Sequence, residues 1–117
     1  MERPYEKLIA WQEAYQLCLL VYTLTKKFPS DEKFGLISQM RRSSSSAPFN
    51  IAEGNRKKST KEKAHFLEIA LCTLEELHCE SKLSLDLGYI DQTNFENLDD
   101  RISRTSYLIY KLQASLS

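Results

Sequence analysis

Turn-forming residues are scarce: three glycines and three prolines serve all 117 positions. A many-stranded sheet spends such residues at nearly every reversal, so an all-β architecture is disfavoured from the start, whereas helices need far less punctuation. Cysteine is equally sparse. Cys18, Cys72 and Cys79 form an odd set with no Cys-x-x-Cys pair, which argues against a disulfide framework or a zinc knuckle and predicts buried free thiols. No apolar run reaches bilayer length. The longest near the N-terminus, Leu17 to Leu24, lies between Glu13 and Lys26-Lys27 and is too short to span. It lacks a small-residue cleavage site, so no signal peptide is expected and the chain is placed in the cytoplasm, off the membrane. Also missing are a phosphate-cradling glycine loop, a dinucleotide fingerprint and a Ser-His-acid arrangement. An enzyme is therefore not expected.

What is present suits one folded domain over 1–117, with 42% apolar and 27% charged residues, enough for one core and too little for two. Sixteen basic and sixteen acidic side chains cancel overall, but not along the chain. Residues 34–67 carry seven basic and two acidic residues, whereas 68–100 carry one and nine. No internal repeat or low-complexity tract marks a second unit.

Apolar residues recur at three- and four-residue steps in four segments, approximately 5–28, 31–55, 60–87 and 92–115, which predicts four helices. In the first, Leu8, Trp11, Tyr15, Cys18, Tyr22 and Thr25 form one stripe. Ala10, Ala14, Leu17, Val21, Leu24 and Phe28 form a second beside it, so this face is wide enough to touch more than its own bundle. Pro29 stops the helix. Ser30 is a candidate cap for the next, with Asp31 and Glu32 in its first turn. Its core stripe, Ile37, Met40, Ser44, Ala47, Ile51 and Gly54, is mostly small. Pro48 lies inside and predicts a kink, with the hydroxyls of Ser43 to Ser46 at hand for the groups it frees. Gly54-Asn55 reads as a C-terminal stop. Ser59 and Glu62 make a capping box for the third helix, whose core positions are Leu67, Ala70, Leu74, Leu77 and Ser81. Gly88 ends it. Phe95, Leu98, Ile102, Thr105, Ile109, Leu112 and Leu116 then keep helical rhythm to the chain end. Short links force antiparallel neighbours, hence an all-α, up-down-up-down four-helix bundle with its second helix kinked near Pro48.

Metal chemistry finds little support. Glu62-x-x-His65 and Glu75-x-x-His78 resemble halves of a di-iron carboxylate site, but both sit on the third helix, thirteen residues or roughly 20 Å apart. Cys72, Glu76 and Cys79 share one face yet lack a fourth ligand. Neither a metal nor any other cofactor is expected. The basic cluster Arg56, Lys57, Lys58, Lys61 and Lys63 is a better lead: clustered cations beside a helix N-terminus suit phosphate, or else form a solvated loop. Arg41 and Arg42, mid-helix, are the remaining candidates for phosphate contact. Pairing with Glu68, Glu75 or Glu76 is the alternative, favoured for one of the two.

The block Arg41-Arg42 through Ser45, followed by Asn50-Ile51-Ala52-Glu53-Gly54, is preceded by Leu8, Trp11, Phe28-Pro29, Glu32, Leu36 and Gln39. Together with Ser59, Phe66-Leu67, Ala70, Thr73, Glu76-Leu77 and Leu87-Gly88-Tyr89-Ile90, it resembles the four-helix-bundle family of ribosomal RNA intervening-sequence proteins over nearly the whole chain. Members of that family are encoded in insertions within bacterial large-subunit ribosomal RNA genes and at many other loci. The resemblance implies a ring-like homopentamer with no catalytic residues. A related branch looks like the accessory protein of diversity-generating retroelements, which binds nucleic acid and a reverse transcriptase. The expectation is thus a homo-oligomeric, nucleic-acid-associated adaptor for RNA or DNA, the alternative being a protein-interaction scaffold with a basic partner.

Overall fold

The computed structural model describes residues 1–116. Four helices dominate it: α1, Ile9–Thr25; α2, Leu36–Arg56; α3, Thr60–Asp86; and α4, Gln92–Ala114, with 3-10 turns at Pro4–Lys7 and Ser30–Glu32. No strand occurs among the described residues. The helices pack in a closed cycle, each against its sequence neighbours and α1 against α4, in a body 43 × 24 × 23 Å. Cross-helix bonds give the directions. Arg41 Nε reaches Thr25 Oγ1 at 2.9 Å while Ser44 Oγ lies 3.8 Å from Cys18 Sγ. Gln113 Nε2 donates to the carbonyl of Ala64 at 3.1 Å while His78 Nε2 meets Asp99 at 3.1 Å. Rising positions on one helix meet falling positions on the next, so the bundle is antiparallel up-down-up-down.

The core takes the small-residue stripe of α1 rather than the aromatic one. Ala10, Ala14, Leu17, Val21 and, beyond the end of α1, Phe28 are buried and Leu24 is half-buried, whereas in the other stripe Tyr15 and Tyr22 remain exposed, Trp11 is half-buried and Thr25 is buried. Met40, Ala47 and Ile51 from α2, Leu67, Ala70, Leu74 and Leu77 from α3, and Leu98, Ile102 and Ile109 from α4 complete one core.

The turn chemistry explains several boundaries. Ser59 accepts from the Glu62 amide at 3.1 Å and donates to the Glu62 carboxylate at 3.1 Å, which opens α3. Gly88 takes φ +80, and Tyr89 N–H reaches back to the Ser84 carbonyl at 2.9 Å, closing α3 with a left-handed turn that only glycine enters freely. Asp91 caps α4 through the Asn94 amide at 2.7 Å.

Elsewhere the boundaries differ from expectation. Residues 4–7 form a 3-10 turn before α1, and α2 opens at Leu36, not next to Ser30. Glu32 supplies that cap from within the preceding 3-10 turn: its Oε1 accepts from Leu36 N–H at 3.1 Å, and its Oε2 from the Tyr89 hydroxyl at 2.9 Å. Gly54 does not stop α2 either, since the helix continues to Arg56 with Gly54 buried inside it. A Cβ there would lie 2.8 Å from the Cβ of Phe66, so glycine sets the α2–α3 approach. The helix passes through Pro48 unbroken. Ser43, Ser44 and Ser45 bond back to the carbonyls of Met40, Arg41 and Arg42, a turn before the Ser44 carbonyl that Pro48 leaves free.

The thiols are a further correction. Cys72 and Cys79 are exposed and Cys18 is half-buried. The buried stripe of α3 runs through Ala70, Leu74, Leu77 and Ser81, and Cys72 and Cys79 fall between those positions on the outward face. Burial pushes the Cys18 thiol above its ordinary range, an effect opposed by the Ser44 hydroxyl.

Candidate nucleic-acid interface

One end of the bundle collects the N-terminal 3-10 turn, the last turn of α2, the first turn of α3 and the last turns of α4. A recess at this end is lined by Leu8, Ile51, Gly54, Asn55, Lys63, Leu67, Leu112 and Leu116, drawn from all four helices and their flanks. Lys63 is in its wall, and Arg56, Lys57, Lys58 and Lys61 lie in the same stretch, from the end of α2 to the first turn of α3. Arg56, Lys58 and Lys61 are exposed. Lys63 Nζ donates to the Asn55 carbonyl at 3.0 Å, satisfying an acceptor at the end of α2, and Lys57 Nζ lies 5.2 Å from the centre of the Phe66 ring. Among the described residues none of these five cations forms an ion pair with a carboxylate. Arg56, Lys58 and Lys61 therefore hold their charge open to solvent, with the half-buried Lys57 and Lys63 beside them, next to the α3 N-terminus, where the helix dipole adds a positive end.

Folding adds cations that the linear pattern does not reveal. Arg3 lines a cleft together with Arg56, and Lys7 and Lys111 line another with Leu8 and Leu112. Each stands alone in sequence, so only the antiparallel topology marks it as part of a group.

Arg41 and Arg42 do not join this end. They precede Arg56 by about four turns of α2, roughly 21 Å at 1.5 Å per residue. Arg42 is held by Glu76 and by Gln39 Oε1 at 3.1 Å. Arg41 donates to Thr25 Oγ1 at 2.9 Å and to the Tyr22 carbonyl at 3.5 Å, with its guanidinium 4.7 Å from the Tyr22 ring centre. The expected pairing with an acidic α3 residue is thus realised by Arg42, and Arg41 ties α2 to α1.

Beside Arg42 lies a half-buried carboxyl that sequence reading passed over. Glu80 Oε1 accepts from the Ser43 hydroxyl at 2.5 Å. Burial, with repulsion from Glu76, pushes Glu80 up to about 7, against the Ser43 hydrogen bond and the Arg42 charge. Nothing in its sequence context marks it, because the perturbation comes from α2.

Metal ligands do not assemble. His65 and His78 stay apart on α3, with His78 bonded to Asp99, and no group of three or more His, Cys, Asp or Glu among the described residues is arranged to hold an ion. No helix among the described residues is long and apolar enough to cross a membrane.

Residues 6–111 match the family model described as 23S rRNA-intervening sequence protein. No curated protein matches the chain. Among solved structures, a protein of unknown function from the S23 ribosomal protein family of Bacteroides thetaiotaomicron superposes with a TM-score of 0.84 at 20% identity, covering 91% of this chain and 96% of that one. At that identity the likeness speaks for the fold alone.

Proposed function

The chain belongs to the 23S rRNA-intervening sequence protein family, and on that premise we propose that it is a non-enzymatic, homo-oligomeric adaptor that holds RNA or DNA phosphates on the basic end of its bundle. The observation that carries this reading is the gathering of Arg56, Lys57, Lys58, Lys61 and Lys63, without carboxylate partners among the described residues, beside the α3 N-terminus. Unpaired surface cations exchange condensed counterions for phosphate, and the released ions drive binding. The family's description supplies the nucleic-acid context; the charges supply the means.

Self-association draws support from the outer faces of α1 and α2 and the link before α2, where Ile9, Tyr15, Leu19, Tyr22, Phe34 and Phe49 are exposed, Phe34 by 88% and Phe49 by 62%. Large apolar side chains in such number suit a subunit interface. A five-subunit mass by light scattering is the outcome expected, and a monomer across micromolar concentrations contradicts the oligomeric part.

The phosphate part is tested by titrating the protein with RNA and with DNA at low and moderate salt. Binding at low salt that weakens steeply on salt addition is expected. No retention on either polymer at low salt contradicts it and leaves the second reading, a scaffold built on the same exposed apolar faces.

A further inference from the structure

Arg3, Pro4 and Tyr5 of the N-terminal turn face Ala52, Glu53, Asn55 and Arg56 of α2 across an open cleft of about 600 Å³, within the range of about 300–1,000 Å³ typical of small-ligand sites. Three features set it apart from the recess and the second cleft at the same end. It has an aromatic residue in its wall, the half-exposed Tyr5. It has an arginine on each side, Arg3 from one element and Arg56 from another. Asn55, whose side-chain amide both donates and accepts, and Glu53, whose carboxylate only accepts, also line it.

The cleft is also preformed. Arg3 N–H donates to Glu6 Oε2 at 3.0 Å, Gln12 Nε2 donates to the Glu6 carbonyl at 2.8 Å, and Tyr5 packs edge-on against Trp11 at 5.0 Å between centroids. Trp11 in turn stacks on Tyr15 at 4.8 Å. The turn that carries Arg3 and Tyr5 is therefore fixed against α1 before any ligand arrives, which lowers the ordering cost of binding.

We infer that this cleft takes one unpaired nucleotide, its base against Tyr5 and its flanking phosphates on Arg3 and Arg56. The inference rests on the phosphate-binding reading above and narrows it to single-stranded segments. A duplex presents phosphates and sugars outward and keeps its base faces stacked inside, so it offers this cleft nothing to stack on Tyr5. A looped-out or single-stranded base exposes its ring face and hydrogen-bonding edge together. Glu53 turns a phosphate away from the middle of the cleft but accepts the amino groups of a base, which sets phosphates at the rim and the base between them.

Trp11 is the only tryptophan in the chain and touches Tyr5, so its fluorescence reports on the cleft. The test uses a single-stranded RNA of about ten nucleotides and the duplex formed with its complement, a length within the span of single-strand sites. At low salt we expect the strand to bind about tenfold more tightly than the duplex and to change Trp11 emission, and the duplex to leave the emission as it is. Tyr5→Leu weakens strand binding about tenfold with duplex binding unchanged, and Tyr5→Phe, which keeps the ring, restores it. Equal affinity for strand and duplex, or equal strand affinity for the wild type and Tyr5→Leu with helical circular dichroism intact, overturns the cleft while phosphate binding stands. Failure of both polymers to bind overturns the phosphate reading itself. Arg3→Gln with Arg56→Gln gives an independent arm: the strand preference over the duplex falls if the cleft is used and persists if it is not.

Discussion

Thr105 is fully buried on α4, and its hydroxyl oxygen has no hydrogen-bond partner among the described residues. A buried hydroxyl without a partner forfeits its hydration and receives nothing in return. We expect Thr105→Val to raise unfolding stability by about 1 kcal/mol, seen as a higher denaturation midpoint at constant slope. A lower midpoint contradicts the assignment. Glu80 gives a second test at this scale. Its carboxyl sits at about 7 in the folded chain, chiefly through burial, against an ordinary value of 4.5. Between those values the unfolded chain releases this proton while the folded one keeps it, so stability falls as pH rises from about 4.5 to about 7 and is level above. Glu80→Gln removes that part of the slope. Midpoints measured from pH 4.5 to 8 check it, and parallel curves for the two proteins refute it. Thr105 was legible as a core position from its spacing, but the missing partner and the Glu80 environment were not. Both depend on what neighbouring helices place opposite them.

At the scale of the helices, two forces act in opposite directions at Gly54. Alanine is the better helix former by about 1 kcal/mol, yet its Cβ would stand 2.8 Å from the Cβ of Phe66, an atom fixed to the α3 backbone. Overpacking of this kind costs about 1–3 kcal/mol. The clash wins, and Gly54→Ala is expected to destabilise the fold by about 1 kcal/mol net, measured by chemical denaturation; a stabilised variant refutes the close approach of α2 and α3. The same residue shows where sequence reading reached its limit. Small residues on α2 correctly pointed to close packing, but Gly54-Asn55 also had the form of a helix stop, and only the partner helix distinguishes the two. Ser59, Gly88 and the α4 stripe were readable because each signal is local. The start of α2 was not, since its cap is a glutamate side chain that is also tied to Tyr89 in the α3–α4 link.

For the whole molecule, the antiparallel bundle brings cations from separate parts of the sequence to one end. The block from Arg56 to Lys63 was visible in sequence; its reinforcement by Arg3, Lys7 and Lys111 follows from topology, which returns α4 to the start of α1. Arg41 and Arg42 stand apart from that block in sequence as mid-helix candidates for phosphate or for pairing, and in the fold they meet Thr25 and Glu76 about four turns earlier on α2. The opposite end carries its own lysines, Lys26, Lys27 and Lys33, beside Asp31 and Glu32 in sequence. Two variants with the same loss of charge therefore separate position from net charge: Arg56, Lys58 and Lys61 to Gln at one end, and Lys26, Lys27 and Lys33 to Gln at the other. The decisive measurement is the salt dependence of RNA affinity for both. If phosphates sit on the α2–α3 end, the first variant loses affinity and its log–log salt slope shrinks by about 3, close to one per phosphate contact removed, while the second keeps the wild-type slope. Equal losses from the two ends would contradict the account.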